Sequence, residues 1–239
     1  MNNYLATTND DFDGILIWDL NNTRERLNID QNESTDQDFY ITSPDNHMLL
    51  SYTWRIDRPL IYSSYNDVIR NKGRIMIHQV PDAGDDRLGE KKSKLGKESL
   101  LHDVELPEAL NSFAIHEREA HVIFGVSDQT RCLIDFNSKE VKKFGQSGPS
   151  KGEIEVVYNG RNHVLFWSSD GKAQWFDLRM ETNVFEQRSF KGGIKAVEFN
   201  PCQSEEYIVL QENKVVWCTL GQLAKELPFI KLFNQQSTP

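Results

Sequence analysis

The feature that most constrains this chain is a short apolar strand, closed by a polar or acidic residue, that recurs five times. Its copies are ILIWDLNN from Ile15, RIMIHQVP from Arg74, CLIDFNS from Cys132, QWFDLRMETN from Gln174 and VVWCTLG from Val215. Aligned on Trp18, His78, Ile134, Phe176 and Trp217, the copies are 60, 56, 42 and 41 residues apart. The last two steps match the roughly 40 to 45-residue period of a four-stranded unit repeated along a chain. The first two are longer because they contain inserts, the polar run NIDQNESTDQD before Phe39 and the charged loop 82–99.

Four strands are legible within the best-preserved period: KKFGQS, GEIEVVYN, HVLFWSSDG and KAQWFDLRM, followed in the next by FEQRSF, GIKAVEFNPCQ, EEYIVLQEN and KVVWCTL. Two earlier units are rougher, one made of HMLLSYTW, PLIYSSYND and RIMIHQV and the other opening with LLHDVEL. Apolar residues alternate at Ile154 and Val156 and at Ile194 and Ala196, as strands with one covered face require. Helical periodicity is confined to a short turn at GQLAKEL, Gly221 to Leu227. The expected class is all-β. The first segment, YLATTNDDFDGILIWDL, reads as a hairpin with no strand before it. A lone hairpin is marginal in water, so its partners must come from elsewhere in the chain or from another molecule.

Composition narrows the function classes. The 239 residues are 38% hydrophobic and 26% charged, with no long apolar run and with neither a basic start nor an apolar signal core. A cytoplasmic or nuclear protein with no membrane segment is expected. A net charge of −9 and a pI near 5.2 argue against binding a polyanion over a broad surface. The local exception is Asp85 to Glu98, where Lys91, Lys92 and Lys94 make a candidate partner-binding patch on an insert expected to lie outside the sheets. Cys132, Cys202 and Cys218 are too scattered for a disulfide framework and read as buried or half-buried thiols. The six histidines lack metal-ligand spacing, the glycines of FGQSGPSKGE read as loop chemistry, and paired acids such as Asp10 with Asp11 read as solvated charge. No catalytic residue, metal or cofactor is expected.

Two segments, YLATTNDDFDGILIWDL and SSDGKAQWFDLR, resemble the third and fourth strands of WD-repeat blades, with Asp177 following an aromatic residue. The chain departs from that family in lacking Gly-His dipeptides before the blades and in placing Cys218 where Asp is usual. The resemblance implies a single β-propeller domain over 1–239 with about five four-stranded antiparallel blades. Its parts are an opening half-blade at 1–22, the inserted loop 82–99 and a C-terminal segment 221–239. Trp18, Trp175, Phe176 and Trp217 are expected in the packing between sheets. Two endings stay open: PFIKLF, from Pro228 to Phe233, returns to the opening hairpin and closes a ring, or the ring is open and a partner chain completes it at that hairpin. The family also implies a non-catalytic scaffold or adaptor whose partners are other protein subunits of a complex. An alternative is a substrate receptor of a cullin-type ubiquitin ligase, since WFDLR resembles the Asp-x-Arg ending of such receptors and would make Asp177 and Arg179 the docking residues.

Overall fold

The computed structural model describes residues 4–9, 12–19, 39–55, 58–67, 69–81, 93–95, 99–116, 118–127, 130–144, 154–158, 161–180, 184–200, 202–222 and 225–228. Those residues form twenty strands and one single-turn 3₁₀ helix, arranged as five four-stranded sheets. The chain divides into two compact units, Met1–Leu110 and Asn111–Pro239.

Unit one holds two sheets. The first is ordered β1 (Tyr4–Asn9), β2 (Phe12–Asp19), β3 (Phe39–Thr42) and β7 (Ser93–Lys94). The second is ordered β4 (His47–Trp54), β5 (Leu60–Asp67), β6 (Lys72–Gln79) and β8 (Leu100–Leu106). Strand alternation sends Ile15 and Ile17 to the same side of β2, where they meet Phe39, Ile41, Ile61, Val80 and Leu95 in one buried cluster. Gly73 allows the return of the chain beside β6, since a Cβ there would stand 2.8 Å from the Glu108 carbonyl oxygen.

Unit two holds three sheets built to one plan. They are ordered β12 (Glu140–Phe144), β11 (Arg131–Asp135), β10 (Val122–Val126) and β9 (Ser112–Ile115); then β13 (Ile154–Tyr158), β14 (His163–Ser168), β15 (Lys172–Asp177) and β16 (Val184–Ser189); then β17 (Ala196–Phe199), β18 (Glu206–Leu210), β19 (Lys214–Thr219) and β20 (Lys225–Pro228). The fourth sheet is covered on both faces. Phe124 and Val126 of the third pack with Phe166 and Phe176 on one side, and Tyr207, Val209 and Val216 of the fifth pack with Trp167 and Trp175 on the other. A glycine holds the turn between β14 and β15 together: Gly171 has φ +97°, and a Cβ there would meet the Phe190 carbonyl oxygen at 2.2 Å.

All-β character and the repeat of four-stranded sheets follow the sequence, but the phase of the repeat does not. LLHDVEL, KKF and the FEQRS strand, read as opening strands, are the last strands of the preceding sheets, as β8, β12 and β16. Of the expected helical turn at GQLAKEL, Leu223 and Ala224 lie outside the described residues, and Lys225–Leu227 belong to strand β20, antiparallel to β19. PFIKLF beyond Pro228 and the polar run before Phe39 lie outside the described residues. The charged insert is not wholly outside the sheets: Ser93–Lys94 pair in parallel with Phe39–Tyr40, and Leu95 is buried in the unit-one core. The opening hairpin therefore finds β3 and β7 within its own chain. Cys202 is exposed, while Cys132 and Cys218 are buried as expected; all three are free thiols.

Candidate functional site

The residues singled out by sequence sit where β15 ends. Asp177 pairs across the ladder with His163, the Leu178 N–H donates to the Asn162 carbonyl at 2.8 Å, and the chain then makes the 3₁₀ turn Leu178–Met180. That turn brings Arg179 back over the strand end. Its backbone N–H donates to Asp177 Oδ1 at 2.9 Å, its Nε to the same oxygen at 2.9 Å, and its Nη2 to Oδ2 at 2.5 Å. His163 Nε2 stands 3.7 Å from Oδ2. The Arg179 guanidinium holds the Asp177 carboxyl down to about 2, against the opposing effect of burial. Burial pushes His163 below its ordinary value; the charge of Arg179 adds to that and the charge of Asp177 opposes it. The carboxylate is only 3% exposed but the Arg179 side chain is 65% exposed. The arrangement is a cation oriented by a buried anion, with much of the guanidinium facing solvent.

The corresponding strand ends differ. In the third sheet Asp135 accepts from the Asn137 and Ser138 N–H groups at 2.9 and 3.4 Å, an acid closing a turn. In the fifth sheet the same ladder position is Thr219, paired with Glu206. Arg179 is thus particular to the fourth sheet among these three. Lys91 and Lys92 lie outside the described residues; the Lys94 backbone pairs with Tyr40 in unit one, whereas Asp177 and Arg179 belong to unit two.

A second feature was not visible in sequence. One face of the fifth sheet packs on the fourth, and the other exposes Ile208, Leu210 and Trp217. Ile208 and Trp217 are cross-strand partners, so these side chains adjoin. Trp217 was expected in the core, yet it is 36% exposed. Its counterpart in the fourth sheet is Trp175, and no described residue gives it the cover that Phe199 and Tyr207 give there. The register Tyr207↔Cys218 and Val164↔Phe176 makes Cys218, not Trp217, the counterpart of Phe176, and a shift of one residue moves a side chain to the other face. Trp175 and Phe176 are fully buried as expected, while Trp18 is half-buried and its neighbour Ile17 takes the core position.

Two arginines were also missed. Arg131, 7% exposed, lies 5.4 and 5.9 Å from the ring centres of Phe166 and Phe176 and donates to Gln174 Oε1, and burial lowers its pKa. Arg188 pairs with Glu186 and donates from Nη2 to the Thr219 and Gln222 carbonyls, at 2.9 and 2.5 Å, while Glu186 accepts from the Gly221 N–H. Each fastens one sheet to the next, a role set by tertiary neighbours that no local pattern announces. Among the described residues no group of three or more His, Cys, Asp or Glu side chains is placed to hold a metal ion, and no helix is long and apolar enough to cross a membrane. No protein-family model matches the chain, and no curated protein is significantly similar to it.

Proposed function

We propose that the chain is a divergent β-propeller of the WD-repeat kind that serves as a non-catalytic scaffold subunit in a multi-protein complex of the cytoplasm or nucleus. The observation that carries this reading is the exposed apolar face of the fifth sheet. The covered face of the fourth sheet presents Trp175 to Phe199 and Tyr207 at ring-centre distances of 5.1 and 4.6 Å, whereas the equivalent tryptophan, Trp217, is left open beside Ile208 and Leu210. Contiguous apolar surface on a folded β-sheet is favourable ground for a protein partner, and aromatic residues dominate such contacts. A rigid stack of sheets presents that surface with little ordering cost on binding.

The test is affinity purification from cells with wild-type protein and with Ile208→Asp and Trp217→Asp. Stoichiometric subunits that are recovered with wild type and lost with both variants, at an unchanged unfolding midpoint, support the reading. A wild-type protein that purifies alone overturns it. A cullin-ligase receptor is the second reading, favoured by the exposure of Arg179 at the end of β15. It requires ligase subunits in the purified complex and their selective loss on Arg179→Ala.

A further inference from the structure

Two basic side chains face one buried carboxylate where β15 ends. Arg179 holds it from three donors, with its backbone N–H and Nε on Asp177 Oδ1 and its Nη2 on Oδ2. The His163 Nε2 stands 3.7 Å from the same Oδ2. The two differ in their access to water, since the His163 side chain is 15% exposed and the Arg179 side chain 65%. A charge with little water around it depends on a counter-charge, whereas an exposed one can be hydrated instead.

We propose that His163 and Arg179 are alternative partners of the Asp177 carboxylate: when the His163 ring takes up a proton from solvent, the carboxylate turns to the imidazolium and the guanidinium is released to water. No partner molecule is needed for this exchange, and it holds whether or not the chain is a scaffold. The ring has to close by only about 1 Å to reach hydrogen-bond distance of Oδ2. Arg179 gives up side-chain bonds that solvent already screens, while its backbone N–H can stay on Oδ1 and keep the carboxylate in place. The titratable groups that face His163 come from three elements: Asp177 at the end of β15, Arg179 in the 3₁₀ turn and Glu205 in the turn before β18. The two acids favour a proton on the ring; Arg179 opposes it, so the ring charges more readily once the guanidinium has left. Burial opposes it most, which sets the exchange on the acid side of pH 6.5.

The third sheet supplies the contrast. There His121 Nε2 stands 4.0 Å from Asp135 Oδ1 and 3.8 Å from Glu119, and Asp135 Oδ1 accepts from the Asn137 N–H at 2.9 Å, as Asp177 Oδ1 accepts from the Arg179 N–H. Histidine, aspartate and turn N–H recur, but the residue two places after the acid is asparagine, so a proton on His121 displaces no cation. Arginine in that one place makes the fourth sheet a switch. Linkage then runs both ways: an acidic group that draws Arg179 off Asp177 makes His163 easier to charge, so its capture takes up a proton and tightens as the pH falls.

NMR of the full chain between pH 7.5 and pH 5 tests the exchange, through the ring signals of His163 and His121 and the Nε–H of Arg179. At pH 7.5 the Arg179 Nε–H should be held, with an order parameter near about 0.85, and it should fall below about 0.6 with the same midpoint as the His163 ring. His163→Gln takes no proton and keeps a hydrogen-bonding side chain, so Arg179 should stay held over the whole range. Arg179→Gln should raise the His163 midpoint by about half a unit or more and leave that of His121 where it was. A guanidinium that stays held while His163 charges would show that both groups share the carboxylate, and would overturn the proposal. Release at the same pH in His163→Gln would do so as well, as would a His163 ring that takes no proton down to pH 5 or a midpoint that does not rise in Arg179→Gln. If His163→Gln fails to fold, the wild-type titration and Arg179→Gln decide by themselves.

Discussion

Trp175 and Trp217 occupy the same place in consecutive sheets, each two residues before the end of the third strand, and they meet opposite fates. Trp175 is fully buried against Phe199 and Tyr207 of the fifth sheet, whereas Trp217 is 36% exposed. Sequence and local geometry are alike; what differs is that the fifth sheet packs on the Trp175 face, whereas no described residue packs a further sheet on the Trp217 face. In a stacked repeat each sheet buries its faces against its neighbours, and among the described residues of unit two the fifth sheet has such a neighbour on one face only.

Truncating each ring in turn should separate the two sites most. Trp175→Ala should cost about 3 to 5 kcal/mol in denaturant unfolding, as large aromatic truncations in packed cores do. Trp217→Ala should cost well under half of that in the isolated chain. Equal losses would mean that the fifth sheet is covered after all.

A second prediction concerns the slot one residue later on the third strand, which is filled by Phe176 in the fourth sheet, Ile134 in the third and His78 in the second. Burial pushes His78 down to about 4 from an ordinary 6.5, and its Nδ1 has no hydrogen-bond partner. A histidine with a depressed folded value binds fewer protons folded than unfolded between those two limits. Its contribution is complete above about pH 6.5 and is lost as the pH falls toward 4. The loss expected over that window is about 3 kcal/mol, at 1.36 kcal/mol per unit. Unfolding of the wild type and of His78→Phe at pH 7 and pH 4.5 checks it: the variant should lose much less on acidification, and an equal loss would move the acid sensitivity elsewhere.

The link between the fourth and fifth sheets can be loosened without touching the tryptophans. Arg188→Met removes the guanidinium that lies 5.8 Å from the Tyr207 ring centre together with its donors to two carbonyls, and leaves Glu186 without its cation. A charged hydrogen-bonding group of this kind contributes about 1.5 to 3 kcal/mol. Fluorescence of Trp175 under denaturant should report the weakened contact, and an unchanged midpoint would show that Arg188 is incidental to the packing of the two sheets. Smallest of all should be Arg179→Ala: its side chain is 65% exposed, so solvent screens its pair with the buried Asp177 carboxylate into the range of about 1 kcal/mol or less. Its useful readout is the Asp177 carboxyl itself, which should titrate closer to an ordinary aspartate by NMR once the guanidinium is gone. No movement would mean that other donors hold that carboxyl down.

The recurring apolar strand and its spacing determined a great deal by themselves: the all-β class, the number of sheets, and the burial of Trp175 and Phe176, because strand alternation and a covered face leave a period that can be read directly. Asp177 and Arg179 were legible too, since their contact spans two residues and needs only a local turn. Tertiary structure alone decided the rest. Which strand closes which sheet depends on hydrogen bonding between segments that sequence places in either group, and so β8, β12 and β16 belong to the sheets that precede them. The exposure of Trp217 turned on the absence of a covering sheet on its face among the described residues, which no local pattern encodes. Lys94 reaches the first sheet only because the parallel pairing of Ser93–Lys94 with Phe39–Tyr40 joins segments more than fifty residues apart, a contact whose energy comes from the finished core rather than from the charged sequence that carries it.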